Sequence, residues 1–364
     1  MTATATKAPR VASAPVAHLL EVTTSTPIRS YTQEQILEWL QEPDPKVKRI
    51  FRNSHIQQRF LDLPEAVGGE IPEESPQDLI DKHLRGALQM GERVISSVLA
   101  RRNIALADVD FLVCVSSTGF LCPGISAHLV RSLGMPNNMR RMDVVGMGCN
   151  AAVNALQSAT ARAMARPGRY GLLVCLEVCS ATYARNRKVS TAVVNSLFGD
   201  GGGALLIQAA CPDASEPSRP VPAVLDFEPF ILTDALDAMK FELEDGRLSF
   251  VLDKNIPNVI GQHVPIPVGR LLARHGLDTT AIQHWLVHSG GKKVIDAIEQ
   301  NLGLSSDALR HTRAILSNYG NLSSASVLFA FERLSQEGVV RRNDLGVVIA
   351  MGPGTSIETA LLRW

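Results

Sequence analysis

Three polar residues at predicted turns, Cys149, His288 and Asn321, could supply a thiol nucleophile, an acid–base group and an amide donor. Cys149 follows the glycine hinge GMG and precedes the alanine-rich run NAAVNALQSATARA, which predicts a helix that begins at the cysteine. A thiol at that place has two interpretations. It is either a small buried side chain, as free cysteine commonly is, or a nucleophile whose pKa is lowered by the helix N-terminus.

His288 and Asn321 also have a structural and a functional interpretation each. His288 ends the apolar stretch WLVH and precedes two glycines, so it is either a core histidine with one backbone partner or a side chain where a loop passes close to a ligand. Asn321 precedes LSSASVLFAFERL, where asparagine is a good helix N-cap. A helix start inside a cavity can also offer its side-chain amide, so both interpretations of Asn321 can hold together.

An internal repeat relates these three residues. DVDFLVCVSSTG resembles IQHWLVHSGG, and RYGLLVCLEVCS resembles DLGVVIAMGPGTS, in the same order along the chain. Aligning Gly148 with Gly320, a shift of 172 residues, places Cys149 on Asn321. Such a repeat predicts two similar α/β halves that alternate buried strands with helices. Because sites in α/β sheets lie beyond the carboxyl ends of the strands, we expect Cys149 and Asn321 to face each other, with His288 nearby.

Composition and charge restrict the classes of function. Lys+Arg and Asp+Glu are both 36, so no net charge attracts nucleic acid or an anionic membrane. No apolar stretch approaches the length of a membrane span, and no signal-peptide pattern opens the chain. The six cysteines lack paired or zinc-like spacing. We therefore expect reduced thiols, no bound metal and a cytoplasmic location, with residues 1–16 as a flexible N-terminal tail.

An anionic ligand would need a local cluster of positive charge. DPKVKRIFRNSHIQQR supplies one, which is usually the solvated face of a helix but is also the best candidate for holding a nucleotide phosphate, through Arg52 and Arg59. The glycine run in SLFGDGGGALL lacks the spacing of phosphate-binding loops. We expect tight packing there, with Asp200 bonding a turn and Phe198 pushed out of it. Met351 begins the rigid MGPGTS turn, a candidate cavity wall.

The combination of GMGCNAA, SLFGDGGGAL, HSGG, NYGNLSSASV and MGPGTSIETALLRW resembles the type III polyketide synthases, a branch of the thiolase-fold condensing enzymes. The resemblance extends from about residue 17 to the C-terminus. It implies an α/β fold of the thiolase type, with five αβαβα layers built from two similar halves, which we place at residues 17–225 and 226–364. It also implies a homodimer, coenzyme A (CoA) thioesters as substrates and no separate cofactor.

Matching motifs imply that Cys149 is the nucleophile that carries the acyl chain, with His288 and Asn321 as its catalytic partners. A decarboxylative Claisen condensation also needs donors for the enolate that remains when malonyl loses CO2, and His288 and Asn321 can supply them. We expect an imidazolium at His288 and the helix dipole to hold Cys149 as a thiolate near neutral pH. The backbone N–H of Cys149 is the expected oxyanion hole.

The same resemblance suggests residues that contact the substrate. Phe198 and Phe250 resemble the two aromatic residues that separate the CoA tunnel from the cavity. Cys122 stands at a position that the family uses to reach the cavity of the neighbouring subunit. Thr118 and Met351 are the remaining candidates for substrate contact.

A closer resemblance, carried by FLCPGISAHLVRSLG, TAVVNSLFGDG, LTDALDAMKFE and HWLVHSGGKKVID, is to the bacterial 3,5-dihydroxyphenylacetyl-CoA synthases of antibiotic biosynthesis. It implies that four malonyl-CoA molecules serve as starter and extender and that the tetraketide closes to an aromatic ring, with accessory enzymes for release or maturation as partners. Three alternatives stay open. They are a type III synthase with another acyl-CoA starter that makes pyrones or resorcinols, a ketoacyl synthase of the initiating type, and a non-enzymatic thiolase-fold scaffold.

Overall fold

The computed structural model of the chain describes residues 14–186, 188–210, 220–244 and 247–364. Residues 1–13 of the expected tail and Cys211 lie outside the described residues. The first strand begins at Val16, directly after the remaining tail residues.

Thirteen strands occur in the described ranges: β1 Val16–Ser25, β2 Ser30–Thr32, β3 Gln58–Phe60, β4 Val109–Val115, β5 Arg140–Val144, β6 Tyr170–Glu177, β7 Gly201–Ala210, β8 Ala223–Ile231, β9 Met239–Glu244, β10 Arg247–Leu252, β11 His284–Val287, β12 Leu345–Gly352 and β13 Ser356–Arg363. Nine of them form one mixed sheet in the order β11-β12-β13-β8-β1-β7-β6-β4-β5. The other four form two-stranded ribbons, β2 with β3 and β9 with β10.

The same part of the chain contains eleven α-helices: α1 Gln33–Trp39, α2 Pro45–Arg52, α3 Pro76–Ala100, α4 Ile125–Leu133, α5 Ala151–Met164, α6 Val189–Leu197, α7 Ile256–His263, α8 Pro265–Ala273, α9 Lys292–Leu302, α10 Arg310–Tyr319 and α11 Ser326–Glu337. No helix among the described residues is both long enough and apolar enough to cross a membrane.

The sheet order contains the internal repeat. Outward from the β1–β8 junction, β7-β6-β4 on one side corresponds to β13-β12-β11 on the other. In this outward direction, each set has one antiparallel pair followed by one parallel pair. The prediction of two similar halves is therefore confirmed. The predicted boundary after residue 225 falls within β8, which begins at Ala223.

Helices and sheet form five layers. The central layer is α5 and α11, which contact strands of both halves, while α3 and α4 cover the outer face of the N-terminal strands and α7 to α9 cover that of the C-terminal strands. Along α5, Ala151, Ala155, Ala159 and Ala163 recur every fourth residue and are almost fully buried. Their small side chains let both halves of the sheet approach one helix closely.

The parallel strands position the candidate site. β4 runs parallel to β6, and β11 runs parallel to β12, so within each half two carboxyl ends lie at the same edge. Ser117 follows β4, Glu177 ends β6 and His288 follows β11. Met351 is the next-to-last residue of β12. Polar side chains from both halves are thereby brought to the ends of their strands, where α/β folds bind ligands.

Candidate active site

The three predicted residues meet in one cavity. A cavity of about 610 Å³ is lined by Cys149 from the N-terminal half and by His288 and Asn321 from the C-terminal half. The juxtaposition that the repeat predicted is therefore present. Much of the remaining lining is apolar, including Val193, Leu197, Phe198, Met239, Phe250 and Met351.

The glycine hinge places Cys149 at the start of a helix. Gly146 and Gly148 have φ values of +79° and +70°, in the left-handed region that favours glycine. A Cβ atom at Gly148 would lie 2.3 Å from Cδ of Pro353, so a larger residue does not fit there. Cys149 follows in a single 3-10 turn that runs into α5, and its side chain is only 6% exposed.

His288 is fixed by its backbone at the end of β11. Its N–H donates to the carbonyl of Ile349 at 2.8 Å, and its carbonyl accepts from the N–H of Gly290 at 2.9 Å. The imidazole hydrogen-bonds to the backbone of Ser323, while Nδ1 has no hydrogen-bond partner among the described residues. Gly291, with φ of +132°, then turns the chain into α9.

The backbone of Asn321, in the C-terminal half, is hydrogen-bonded to two residues of the N-terminal half. Its N–H donates to the carbonyl of Leu197 at 2.8 Å, and its carbonyl accepts from the N–H of Gly199 at 3.0 Å. The side-chain Oδ1 accepts from the N–H of Ser323 at 2.8 Å. Because Oδ1 is engaged, the amide donor Nδ2 is the group that Asn321 can offer to a ligand.

Burial sets the protonation of the two titratable groups. Removal from water raises the pKa of the Cys149 thiol to about 12, although a hydrogen bond from Ser323 opposes the shift. Burial also lowers the pKa of the His288 imidazole to about 3. Both shifts favour the neutral form. The predicted thiolate–imidazolium pair is therefore not supported, because both charges would be buried.

A serine–glutamate cluster beside Cys149 was not predicted. The hydroxyl of Ser323 donates to Sγ of Cys149 at 3.3 Å and lies 2.7 Å from that of Ser117. Glu177, fully buried, accepts from the N–H of Ser117 at 3.0 Å and from the hydroxyls of Ser117 and Ser324. Burial raises the pKa of the Glu177 carboxyl. The thiol thus lies beside a cluster of serine hydroxyls that contacts a buried carboxyl group.

The sequence carries a signal for this cluster. Ser117 and Ser323 stand in the serine-rich turns VSST and NLSSAS, and Glu177 is a carboxylate at the end of the apolar strand YGLLVCLE. Ser323 has a φ of +49°, which is unusual for a residue other than glycine. A strained serine directly beside the nucleophile indicates that its position is imposed by its surroundings.

Aromatic rings form one wall of the cavity. Phe198 and Phe250, both predicted to contact substrate, pack edge to face with ring centroids 5.5 Å apart. Phe241 packs behind them, with its centroid 4.9 Å from that of Phe250. Phe198 directly follows α6 and forms an isolated parallel bridge with Asn321. The aromatic wall is thereby tied to the polar residues by backbone pairing.

Two other predicted substrate contacts lie elsewhere. Thr118 does not line the cavity of the described chain. Its buried hydroxyl accepts from the N–H of Val178 at 2.9 Å and lies 3.3 Å from Nδ1 of His83, so it fixes a turn. Cys122 is exposed, precedes a cis peptide bond to Pro123 and is also absent from the lining of this cavity.

The prediction that Arg59 binds CoA is wrong. Its side chain is fully buried, where its guanidinium donates to Tyr183, to Gln33 and to the carbonyls of Asn195 and Phe198 at 2.6–2.7 Å. β3 carries it beneath α6, so no donor faces an external phosphate.

Arg52 is exposed but is engaged by Glu34 at 2.8 Å and does not line the cavity. The positive charges that do line it come from Arg49 on α2, Lys254, and Lys292 and Lys293 at the start of α9. Lys292 is paired with Asp296 in the next turn of the same helix. Among the described residues, no group of three or more His, Cys, Asp or Glu is arranged to hold a metal ion.

Comparison with known proteins gives consistent results. The family model "Chalcone and stilbene synthases, C-terminal domain" matches residues 228–364, and "FAE1/Type III polyketide synthase-like protein" matches residues 28–272. A 3,5-dihydroxyphenylacetyl-CoA synthase of Amycolatopsis balhimycina is 48% identical over 94% of this chain and 92% of its own. One from Streptomyces toyocaensis is 45% identical over 96% and 90%.

Solved structures agree in fold. PKS-I from the brown alga Ectocarpus siliculosus superposes with a TM-score of 0.88 at 25% identity, covering 97% of this chain and 100% of its own. The 1,3,6,8-tetrahydroxynaphthalene synthase of Streptomyces coelicolor, a bacterial type III polyketide synthase, superposes with a TM-score of 0.85 at 26% identity, covering 95% and 99%. The chain belongs to the type III polyketide synthases, acyltransferases of thiolase-like fold that condense CoA thioesters.

Proposed function

We propose that this enzyme condenses four molecules of malonyl-CoA to 3,5-dihydroxyphenylacetyl-CoA. The observation that carries the proposal is the meeting of Cys149, His288 and Asn321 in one largely apolar cavity. The choice of product is supported by relatives named for that activity, at 45% to 48% identity over most of the chain.

Loading begins at Cys149. Because thiol and imidazole are both neutral, His288 accepts the thiol proton as the sulfur attacks the thioester carbonyl of malonyl-CoA, and the Cys149 N–H donates to the oxyanion. Collapse of the tetrahedral intermediate breaks the carbon–sulfur bond to CoA, whose thiolate takes the proton from His288. The acyl group is then bound to Cys149 as a thioester.

Extension uses the donors of His288 and Asn321. A second malonyl-CoA loses CO2 in the cavity, and the enolate oxygen accepts hydrogen bonds from the Asn321 Nδ2 and the imidazole N–H. The enolate carbon attacks the Cys149 thioester, the new carbon–carbon bond forms, and the thiolate leaves. In other enzymes the loss of one such donor lowers the rate about 100- to 1,000-fold.

The mouth of the cavity supplies a place for the CoA phosphates. Arg49, Lys254 and Lys293 line the cavity from three separate segments of the chain. We assign to them the binding of the CoA phosphates that the sequence had suggested for Arg52 and Arg59. Thioester exchange and CO2 loss drive the chemistry, so the proposed reaction requires no metal or redox cofactor. The described cysteines are free, which fits a reducing compartment such as the cytoplasm.

A homodimer is part of this proposal. β5 is one of the two outer strands of the sheet, the other being β11, and within the described ranges it pairs with β4 alone. Val145, directly after β5, is 45% exposed, and Phe120, in the loop that follows β4, is 70% exposed. An open strand edge beside exposed apolar side chains supports pairing with a second copy. Accessory enzymes for release or maturation of the product remain expected partners of the pathway.

Incubation with malonyl-CoA alone, followed by mass spectrometry, tests the proposal. We expect 3,5-dihydroxyphenylacetic acid or its CoA thioester from the wild type and none from Cys149→Ala. A relative named as an α-pyrone synthesis enzyme, 30% identical over 95% of the chain, identifies the principal competing product. Pyrones instead of the aromatic acid would contradict the proposed cyclisation, and full activity of Cys149→Ala would contradict the assigned nucleophile.

A further inference from the structure

The two donors of the extension step, His288 and Asn321, stand on separate structural units. β11 leads into His288, whose backbone N–H donates to β12. α10 leads through Gly320 into Asn321, whose backbone is hydrogen-bonded to the segment at the end of α6. Because the enolate oxygen needs donors from both units at once, the distance between the units has to be fixed.

A buried hydroxyl of α10 holds the peptide bond just before His288. Thr312, in the first turn of α10, is fully buried and donates to the carbonyl of Val287 at 2.9 Å. A threonine hydroxyl in a helix often bonds a carbonyl of its own preceding turn, whereas this one bonds another element.

The geometry of that peptide bond explains why the contact matters. The N–H and C=O groups of a trans peptide point in opposite directions. The N–H of His288 points to β12, so the carbonyl of Val287 faces the open side of β11, which pairs with β12 alone in the described ranges. With Thr312 on that side, the peptide that carries His288 is held from both sides.

A second buried hydroxyl joins the residue after His288 to the residue before Asn321. The side chain of Ser289, which is 1% exposed, donates to the carbonyl of Gly320 at 3.3 Å. The consecutive pairs His288–Ser289 and Gly320–Asn321 are therefore linked by one hydrogen bond.

The acceptor of this second bond has little freedom to move. A Cβ atom at Gly320 would lie 2.5 Å from the carbonyl oxygen of Leu197 and 2.7 Å from Cδ of Arg59. Gly320 also has a φ of +76°, in the region that favours glycine. Its backbone is packed between the end of α6 and the buried Arg59, so the Ser289 hydroxyl bonds a carbonyl whose place is set by its surroundings.

We propose that Thr312 and Ser289 are positioning residues for chain extension, which together hold the imidazole of His288 at the distance from the Asn321 amide at which both reach the enolate oxygen. Neither residue is part of the lining of the catalytic cavity in the described chain, so each acts through its neighbours. The inference rests on the proposed function for the roles of the two donors, and not for the identity of the product.

Loading depends on a different contact. The turn that carries Cys149 packs against the end of β12, where a Cβ atom at Gly352 would lie 2.3 Å from Oδ1 of Asn150. Because β12 also pairs with β11, the position of His288 relative to Cys149 is set by β12 rather than by α10. We therefore expect the loss of either hydroxyl to slow extension more than loading.

Paired substitutions test the proposal. Thr312→Val and Ser289→Ala remove the two hydroxyls, whereas Thr312→Ser and Ser289→Thr retain them. Thr23→Val is a matched control, because the buried hydroxyl of Thr23 donates to the carbonyl of Val94 at 2.8 Å, between β1 and α3. That substitution removes the same kind of contact without touching β11, α10 or the cavity.

Two rates are measured with malonyl-CoA as the only substrate. Acid quenching and intact-protein mass spectrometry give the rate of acylation of Cys149, and steady-state CO2 release gives the rate of extension. We expect Thr312→Val and Ser289→Ala each to lower CO2 release about three- to tenfold, the equivalent of one hydrogen bond, with acylation within about twofold of the wild type. Thr312→Ser and Ser289→Thr should restore CO2 release, and Thr23→Val should leave the ratio of the two rates unchanged.

A structural role alone would give a different pattern. Equal slowing of acylation and CO2 release in Thr312→Val and Ser289→Ala, or equal losses in the variants that retain the hydroxyl, would overturn the proposal. Circular dichroism first establishes that each variant is folded, and Ser289→Ala, which removes a single oxygen atom, keeps the test if Thr312→Val does not fold.

Asn321→Ala separates this inference from the proposed function. Full CO2 release from Asn321→Ala would contradict the role proposed for that amide, and the positioning inference with it. Loss of CO2 release in Asn321→Ala, together with wild-type rates in both Thr312→Val and Ser289→Ala, would overturn the positioning inference and leave the proposed function in place.

Discussion

At the level of single residues, the chemistry depends on where the Cys149 proton lies before substrate enters. The thiol has a pKa raised to about 12 and the imidazole of His288 one lowered to about 3, so both groups stay neutral between pH 5 and pH 9. We expect the alkylation of Cys149 by iodoacetamide, followed by peptide mass spectrometry, to accelerate about tenfold per pH unit throughout this range, in step with the thiolate fraction.

Exposed Cys122 provides an internal reference in the same experiment, because its thiol is accessible to the reagent. A plateau for Cys149 that begins below pH 7 would instead establish a thiolate–imidazolium pair. The burial argument would then be wrong, and the interpretation from the sequence would be restored.

Ser323 is the residue whose removal best tests the unexpected cluster. Ser323→Ala deletes the hydrogen bond to Sγ of Cys149 and the contact with Ser117, and we expect product formation to fall about three- to tenfold, the equivalent of one hydrogen bond. Ser323→Gly also lacks the hydroxyl but accepts the φ of +49° without strain. Equal losses in both variants assign the effect to the hydroxyl. Recovery in the glycine variant would assign it to the backbone.

At the level of elements, Arg59 joins β3 to α6 and to the segment that carries Phe198. We expect Arg59→Met to lower the free energy of unfolding by about 3 kcal/mol or more, because the buried carbonyls of Asn195 and Phe198 would lose a charged donor and would share the single hydroxyl of Tyr183. Urea unfolding followed by fluorescence measures the effect. Arg52→Met removes only an exposed pair and should leave the unfolding midpoint unchanged. A stable Arg59→Met protein with weakened CoA binding would favour the original assignment.

The same elements show what the sequence could and could not predict. The apolar strand patterns and the internal repeat predicted the two halves and the juxtaposition of Cys149 with Asn321. Both signals can be read directly from the order of residues along the chain. The role predicted for Arg59 was wrong because a charged residue in a polar segment is expected to be exposed. Its burial results from the packing of β3 under α6, which the local sequence does not show. The role of Glu177 was not predicted because its partners Ser117 and Ser324 come from opposite halves of the chain.

At the level of the whole molecule, the duplication places the active site at the junction between the two halves. Cys149 stands at the start of α5, and its counterpart Asn321 stands shortly before α11, the other helix of the central layer. Burial at this junction also explains the electrostatics, since the layers that align the residues exclude the water that would stabilise their charges. Alignment and neutral protonation therefore have one structural origin.

The final prediction concerns β5, at the edge of the sheet. Val145→Glu places a charge beside β5, where a second copy would pair, and we expect it to convert a dimer to a monomer in sedimentation-velocity experiments. Ile28→Glu is the matched control, because Ile28 is 91% exposed and lies outside the sheet edge. If Cys122 reaches the neighbouring cavity, the monomer should also change its products from malonyl-CoA. A wild type that sediments as a monomer, or a dimeric Val145→Glu protein, would contradict pairing through β5.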